Sequence, residues 1–210
     1  MLRSLTSILA VNEDGAIGAG NTLPWRVRTD LRFFREHTLR NVVIMGRKTY
    51  DSLGGGLPDR SNIVVTHGFG MFPTTPSCRA AGSIVEALLM ADDIKTKKQE
   101  VLIVGGASMY EQFAPYVDRY LITEIQKPVP NADTFFDRAI IGNTRDWDIA
   151  VVAQGRADGL HDECDFTIYE FKVKDADRPM RRREGVLEDL KRRRRGQTLH
   201  DEFPRMRAAG

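Results

Sequence analysis

Short apolar runs recur through the first two-thirds of the chain. Leu5 to Val11 (LTSILAV), Asn41 to Met45 (NVVIM), Asn62 to Thr66 (NIVVT) and Val101 to Val104 (VLIV) centre on β-branched residues without polar alternation, the pattern of strands covered on both faces. Helical spacing appears between them. Thr29 reads as an N-cap before Leu31, Phe34 and Thr38 on one face, and Ser83 with Glu86 forms a capping box ahead of a helix from Ile84 to Ala91. TYDSL and ASMYEQF are shorter helical stretches, each reached from an apolar strand through glycine. NEDG reads as a turn followed by a loop through Gly15, Gly18 and Gly20, and Gly68 to Arg79 reads as loop. Tyr120 to Ile125 is a strand, and PVPNADTFF a turn leading into extended chain. Trp147 to Gln154 and Phe166 to Val173 then form a hairpin across the polar stretch GRADGLHDECD. Strands alternating with helices and then following one another predict an α/β sheet with an antiparallel edge.

Composition adds two points. The 41% hydrophobic and 29% charged residues are ordinary for a folded domain, and the net charge of +2 hides an asymmetry. Residues 172–210 carry thirteen Lys and Arg against seven Asp and Glu, which leaves the body acidic. The N-terminus does not read as a secretory signal, and no apolar run approaches the roughly 18 residues of a membrane span. Cys78, Cys164 and four scattered histidines lack metal-ligand spacing, so a reduced, cytoplasmic, metal-free protein is expected.

Candidate chemistry centres on Asp30, one turn from Phe34 and beside Leu31 and Phe33. Two readings stay open: an acid complementing the helix dipole in water, or an acid in a pocket. Gly46-Arg47-Lys48-Thr49 and Gly105-Gly106 both follow a strand and open a helix. Such junctions receive phosphate because backbone N–H groups point outward there, and a solvated turn is the alternative. Neither junction is a P-loop or a GxGxxG fingerprint. In the tail, EGVLEDLK lies between the arginine runs 181–183 and 192–195. Val186, Leu187 and Leu190 are too few to anchor a helix alone. A solvated extension, partly helical or disordered, is expected; an anion-binding arm for nucleic acid is less favoured, because no aromatic residues interleave with the arginines.

The order LPW, Asp30 in the next helix, IMGRKTYDSL, LPDR, VLIVGGASMYEQF, YLITEI and NADTFF resembles the dihydrofolate reductase family from about Leu2 to Val173. The resemblance implies a mostly parallel eight-stranded sheet with an antiparallel C-terminal strand and flanking helices. It implies a catalytic domain over 1–173, with 174–210 as a basic extension. It also implies reduction of 7,8-dihydrofolate with NADPH, a monomer without membrane association, and antifolates such as methotrexate or trimethoprim as inhibitors. By position, Asp30 would hold the pterin with Thr123 in its hydrogen-bond network, and Leu31, Phe34, Leu53 and Leu57 would wall the substrate. Arg60 would clamp the glutamate carboxylate. Ile17 and Leu23 belong to the loop that closes over the nicotinamide, and Trp25 fixes its end; Leu23 and Trp25 count with Asp30 and Thr123 as catalytic positions. Gly46, Arg47, Lys48 and Thr49 match a phosphate cradle, with Thr66 and His67 near the adenosine 2′-phosphate. Ala10, Gly18, Val104, Gly105, Gly106, Ala107, Ser108, Met109 and Tyr110 complete the cofactor side. The family's peptide between the two glycines is cis, and Tyr110 would stand near the nicotinamide.

Two positions depart from the family's common pattern. Arg28 replaces a frequent proline, which predicts a less rigid start to the Asp30 helix, and Ser108 replaces an arginine on the 2′-phosphate, leaving more to Arg47 and His67. A same-fold reductase of another heterocycle, such as the riboflavin-pathway pyrimidine reductase, is the rival reading. It is similar at the GRKT and Gly-Gly junctions but is not expected to need LPW followed by a helical acid.

Overall fold

The computed structural model describes residues 2, 4–68, 72 and 74–202. In chain order its elements are β1 (Thr6–Asn12), β2 (Ala16–Gly18), α1 (Arg28–Thr38), β3 (Val42–Gly46), α2 (Arg47–Ser52), β4 (Ser61–Val65) and β5 (Cys78–Ala81). There follow α3 (Ile84–Ile94), β6 (Val101–Ile103), α4 (Ala107–Phe113), β7 (Arg119–Ile125), β8 (Thr134–Phe135), β9 (Trp147–Gly155), β10 (Phe166–Val173) and α5 (Asp177–Glu202). One eight-stranded sheet has the order β5-β4-β3-β6-β1-β7-β10-β9. It is parallel from β5 to β7, and β10 runs antiparallel to both β7 and β9.

Alternation along the central strands explains their unbroken apolar runs. Val42 and Ile44 of β3 join Ile63, Ile103 and Leu9 in the core on one face, together with Leu88 of α3 and Phe113 of α4. Val43 and Met45 point the other way, to Val64, Leu102 and Leu121, with Phe33 and Phe34 of α1 and Tyr50 of α2 packed against them. Each face is closed by helices, so neither set of side chains meets water. The hairpin of β9 and β10 forms as expected, with a register shift at Ile168/Tyr169.

Four local expectations change. Thr29 is not the cap of α1: the helix begins at Arg28, and Val27 at the cap position offers no side-chain hydrogen bond. Residues 16–18 are not loop but a short strand paired with β8. Cys78 and Arg79, read as the end of a loop, instead open β5, which pairs in parallel with β4 as the edge strand; part of that expected loop lies outside the described residues. The capping box at Ser83 forms in modified shape: Ser83 accepts from the Glu86 N–H at 3.1 Å, while Glu86 accepts from Gly82 rather than from Ser83 itself, at 2.8 Å.

α5 docks through an arginine. Pro179, Arg183 and Leu187 are buried and Leu190 half-buried, a stripe at helical spacing. Leu187 joins the core that includes α3. The Arg183 side chain is fully buried; it pairs with Asp118 at 2.9 Å and donates to the carbonyls of Leu2, at 3.2 Å, and Tyr116. Asp118 also accepts from the Leu5 N–H at 2.6 Å, and burial nonetheless raises its pKa, outweighing the attraction of Arg183. The expectation that too few apolar groups were present to anchor this segment overlooked a charged one. Arg183→Ala leaves the Asp118 carboxylate buried without its cation, and is expected to lower stability by about 3–5 kcal/mol. Urea denaturation checks it; a change below about 1 kcal/mol would mean that α5 is only loosely held.

Candidate active site

Asp30 stands in the first turn of α1 and is 8% exposed. Its Oδ1 accepts from the Thr123 hydroxyl at 2.6 Å, a contact between α1 and the middle of β7. Burial pushes the carboxyl pKa up to about 6; the Thr123 bond opposes this, and the negative charge of Asp162 adds to it. The rise disfavours the ionised form by on the order of 3 kcal/mol. An acid serving only the helix dipole would stay in water, so the pocket reading is the one that fits.

The walls follow from α1 and α2. Phe34 and Leu57 pack, half-buried, on the face of the sheet under α1. Leu31, Leu53 and Leu23 are 48%, 49% and 51% exposed, large apolar side chains left facing solvent. Trp25 is buried against Val27, Ile125 and Phe166. Its indole N–H is buried and has no hydrogen-bond partner among the described residues.

Arg60 lies at the other end of α1. Its Nε and Nη2 donate to Thr38 Oγ1 at 3.3 and 3.0 Å, and Nη1 donates to the Pro58 carbonyl at 2.6 Å. Thr38 in turn donates to the Phe34 carbonyl at 2.8 Å. The guanidinium is thereby fixed at a helix C-terminus, where a cation is favoured. Two of its five N–H groups remain to grip a carboxylate.

The two strand-glycine-helix junctions lie side by side because β3 and β6 are neighbours. Gly46 donates to the Gly105 carbonyl at 2.8 Å, and Val104 donates to Ile44 at 2.9 Å. The Gly105-Gly106 peptide is cis, and Gly105 has φ +116. A Cβ on Gly105 would stand 3.3 Å from Tyr110 Oη, and one on Gly106 3.3 Å from Thr49 Oγ1. Gly46 meets Met109 in the same way, at 3.3 Å. Tyr110, Thr49 and Met109 take up the space beside these glycines, so a side chain at any of the three glycines would have to push a neighbour aside. Tyr110 is buried behind them and donates to the Ile8 carbonyl at 2.9 Å; burial, with the charge of Asp30, raises the pKa of its phenol.

Several positions are already partnered. Arg47 pairs with Asp51 at 2.8 Å and lies 5.5 Å from the Phe72 ring centre. An exposed pair of this kind is worth under about 1 kcal/mol. Ser108 accepts from Gln112 at 2.7 Å. Thr66, buried at the end of β4, accepts from the Gly68 N–H at 3.3 Å, while Lys48 and His67 are exposed. Ala10 pairs with Thr123 across β1 and β7. Ala107 opens α4. Ile17 and Gly18 lie in β2, and their loop is tied to Asp133, which accepts from the Gly20 N–H at 2.8 Å and donates its own N–H to the Gly18 carbonyl at 3.2 Å.

The start of α1 is held by a segment that sequence reasoning treated as a polar connection. Val27 bridges Asp162, Arg28 donates its backbone N–H to the His161 carbonyl at 3.2 Å, and Arg26 exchanges hydrogen bonds with Glu163. The helix start is therefore tethered rather than loosened: Arg28 supplies a backbone donor that proline lacks. Asp162 and Thr38 were not among the expected site residues. The signal for Asp162 was indirect: a helix beginning Val27-Arg28 has no capping side chain of its own.

Among the described residues, no three His, Cys, Asp or Glu side chains group as a metal site, and no helix is long and apolar enough to cross a membrane. Comparison with known proteins agrees with this geometry. The sequence model described as dihydrofolate reductase matches residues 4–172. A dihydrofolate reductase of Bacillus subtilis (strain 168) is 33% identical over 172 residues, covering 80% of this chain and 95% of its own. One from Neisseria gonorrhoeae is 38% identical over 133 residues, covering 63% and 78%. A solved dihydrofolate reductase from Enterococcus faecalis, complexed with NADP(H) and RAB-propyl, superposes with a TM-score of 0.70 at 28% identity, covering 83% of this chain and 99% of that one. A likeness that begins with the first strand, ends with the last, and stops just short of α5 places the chain in the dihydrofolate reductase family.

Proposed function

We propose that this chain reduces 7,8-dihydrofolate to 5,6,7,8-tetrahydrofolate with NADPH, and that the buried Asp30–Thr123 pair carries the substrate-specific half of the reaction. NADPH, when bound, supplies the hydride delivered to C6 of the substrate. Its fit is supported by the two strand-glycine-helix junctions, which lie side by side at the carboxyl ends of β3 and β6, with Gly46 donating to the Gly105 carbonyl at 2.8 Å.

Asp30 suits a pterin because its two oxygens accept parallel hydrogen bonds from the ring's 2-amino group and N–H. With its pKa near 6 it keeps a proton-exchanging carboxyl close to neutrality. The proton for N5 comes from water that Asp30 organises. Leu23, Leu31, Phe34, Leu53 and Leu57 would exclude bulk solvent and hold the substrate's rings. α1 spaces the two anchors: eight residues separate Asp30 from Thr38, the Arg60 partner, or about 12 Å along the helix axis. An elongated substrate with a heterocycle at one end and a carboxylate at the other fits that spacing. A pyrimidine reductase of the same fold would not need it, and tight binding of methotrexate separates the two. Residues 1–173 form the catalytic unit in this reading, with α5 as an accessory element. Two free cysteines suit a reducing cytoplasm.

Four outcomes are expected. Loss of NADPH absorbance should require dihydrofolate; no turnover by intact protein would end the proposal. Asp30→Asn should bind NADPH normally but turn over about 100-fold or more slowly at neutral pH. The same variant tests the buried charge. An acid whose folded pKa is raised binds more protons folded than unfolded, so its ionisation weakens the fold as pH rises from about 4 to about 6. Ligand-free Asp30→Asn should therefore gain stability over the parent across that window, by up to about 3 kcal/mol above it, with no gain below pH 4. Urea denaturation at a series of pH values reads this, and a gain independent of pH would contradict it. Arg60→Lys should raise KM for dihydrofolate with little change in kcat, since it removes bidentate ground-state binding; a selective fall in kcat would assign Arg60 another role.

A further inference from the structure

The loop between β9 and β10 approaches Asp30 from the side of the sheet opposite the glycine junctions, and one carboxylate in it is as buried as Asp30. Asp162 is 7% exposed. Its two oxygens accept from the Thr29 N–H at 3.0 Å and the Thr29 hydroxyl at 2.7 Å. Thr29 is the second residue of α1, where an N-cap side chain ordinarily serves the backbone N–H. The residue in the cap position, Val27, has no side chain that can do so. The capping oxygen therefore comes from 133 residues further along the chain.

We propose that Asp162 is a positioning residue for Asp30, supplying the cap that α1 lacks and setting a second negative charge at the same helix end. The inference rests on Asp30 being the pocket acid. Asp162 touches neither reacting group; it acts through Thr29 and through its field.

The loop is built to hold this carboxylate still. Asp158 accepts from the backbone N–H groups of Leu160, His161 and Asp162 at 2.9, 2.7 and 2.9 Å, and Asp158 donates its own N–H to the Asp162 carbonyl at 2.9 Å. Glu163 secures the other side, accepting from the Arg26 N–H and from Lys127, both at 2.7 Å. Lys127 also donates to the Pro24 carbonyl at 2.9 Å. The segment from Pro24 to Thr29 is thus tied to the hairpin loop by backbone and side chain together.

The charges around Asp30 are few. β7 contributes the neutral Thr123, α4 contributes Tyr110, and the β9–β10 loop contributes Asp162. Neighbours of Asp162 are engaged elsewhere: His161 pairs with Asp158 at 3.2 Å and Glu163 with Lys127 at 2.7 Å. Arg28 and Arg32 of α1 are exposed. Asp162 is therefore a like charge acting on Asp30, and like charges hold a carboxyl's proton on.

The test separates cap from charge. Asp162→Asn and Asp162→Ser both retain an oxygen that can cap the helix but remove the charge, while Asp162→Ala removes both. Carboxyl-carbon NMR of Asp30 in the ligand-free protein should show its titration midpoint moving to lower pH in each variant, by roughly half a unit. The pH at which single-turnover hydride transfer falls off should move the same way. Only Asp162→Ala should also lower the denaturation midpoint substantially. An unchanged Asp30 midpoint in any variant that folds would overturn the proposal and leave Asp162 a purely structural cap. The NMR arm needs no turnover, so a wild-type protein that fails to oxidise NADPH would count against the proposed reaction and not against this role of Asp162.

Discussion

A carboxylate held away from water at the start of a helix is the constraint around which this chain is arranged. Burying Asp30 disfavours its charge by on the order of 3 kcal/mol, a sizeable fraction of a typical domain's net stability. The surroundings must therefore be built to tolerate it. Thr123 donates to one oxygen, which requires β7 to lie beside β1 and α1 to cross that face of the sheet. The helix N-terminus favours the negative charge, but Asp162 already occupies that end and works against it. Apolar Phe33 and Phe34 on the same helix supply the packing that keeps α1 in place despite the cost. A fold seldom accepts such an arrangement for stability alone, and a raised carboxyl pKa of this kind is what proton-handling sites require, as the proposed reaction does.

The parallel strands explain why the two halves of the site meet. β3 and β6 are adjacent, so the loops leaving their carboxyl ends open into the same crevice, where open α/β sheets receive ligands. Gly46, Gly105 and Gly106 are needed because the junctions approach each other, with Met109, Thr49 and Tyr110 filling the space up to the backbone. β1 and β7 lie next in the sheet and bring Ala10 and Thr123 to the same edge. One crevice can then hold a dinucleotide over the glycines and a second ring over Asp30.

Much of this was legible along the chain, and what was not has a common cause. Continuous apolar runs revealed the strands, and glycines the two strand-to-helix junctions, because strands and turns are written in neighbouring residues. Asp30 itself was visible, but its state was not: a first-turn acid looks the same whether it faces water or a pocket. Thr29 was misread as a cap because the true capping group, Asp162, is remote in sequence. Cys78 and Arg79 read as loop because a four-residue edge strand with a buried cysteine lacks a run long enough to show. Arg183 was hidden in a run of three arginines, of which 181 and 182 are exposed. In each case a long-range contact decided what local pattern left open.

Arg183 also bears on why the family likeness stops before α5. A helix attached by Leu187 alone would gain about 1.5–3 kcal/mol from that side chain, and apolar surface is indifferent to where it lands. A buried guanidinium is not indifferent. Desolvating it costs several kcal/mol unless its donors find acceptors, and here they are the Asp118 carboxylate and the Leu2 and Tyr116 carbonyls. Those acceptors stand at the starts of β1 and β7, whose other ends carry Ala10 and Thr123. Arg183 therefore contributes registry more than net stability, fixing α5 at the sheet end away from the crevice. The extension can hold the amino ends of the strands that carry the site without entering it.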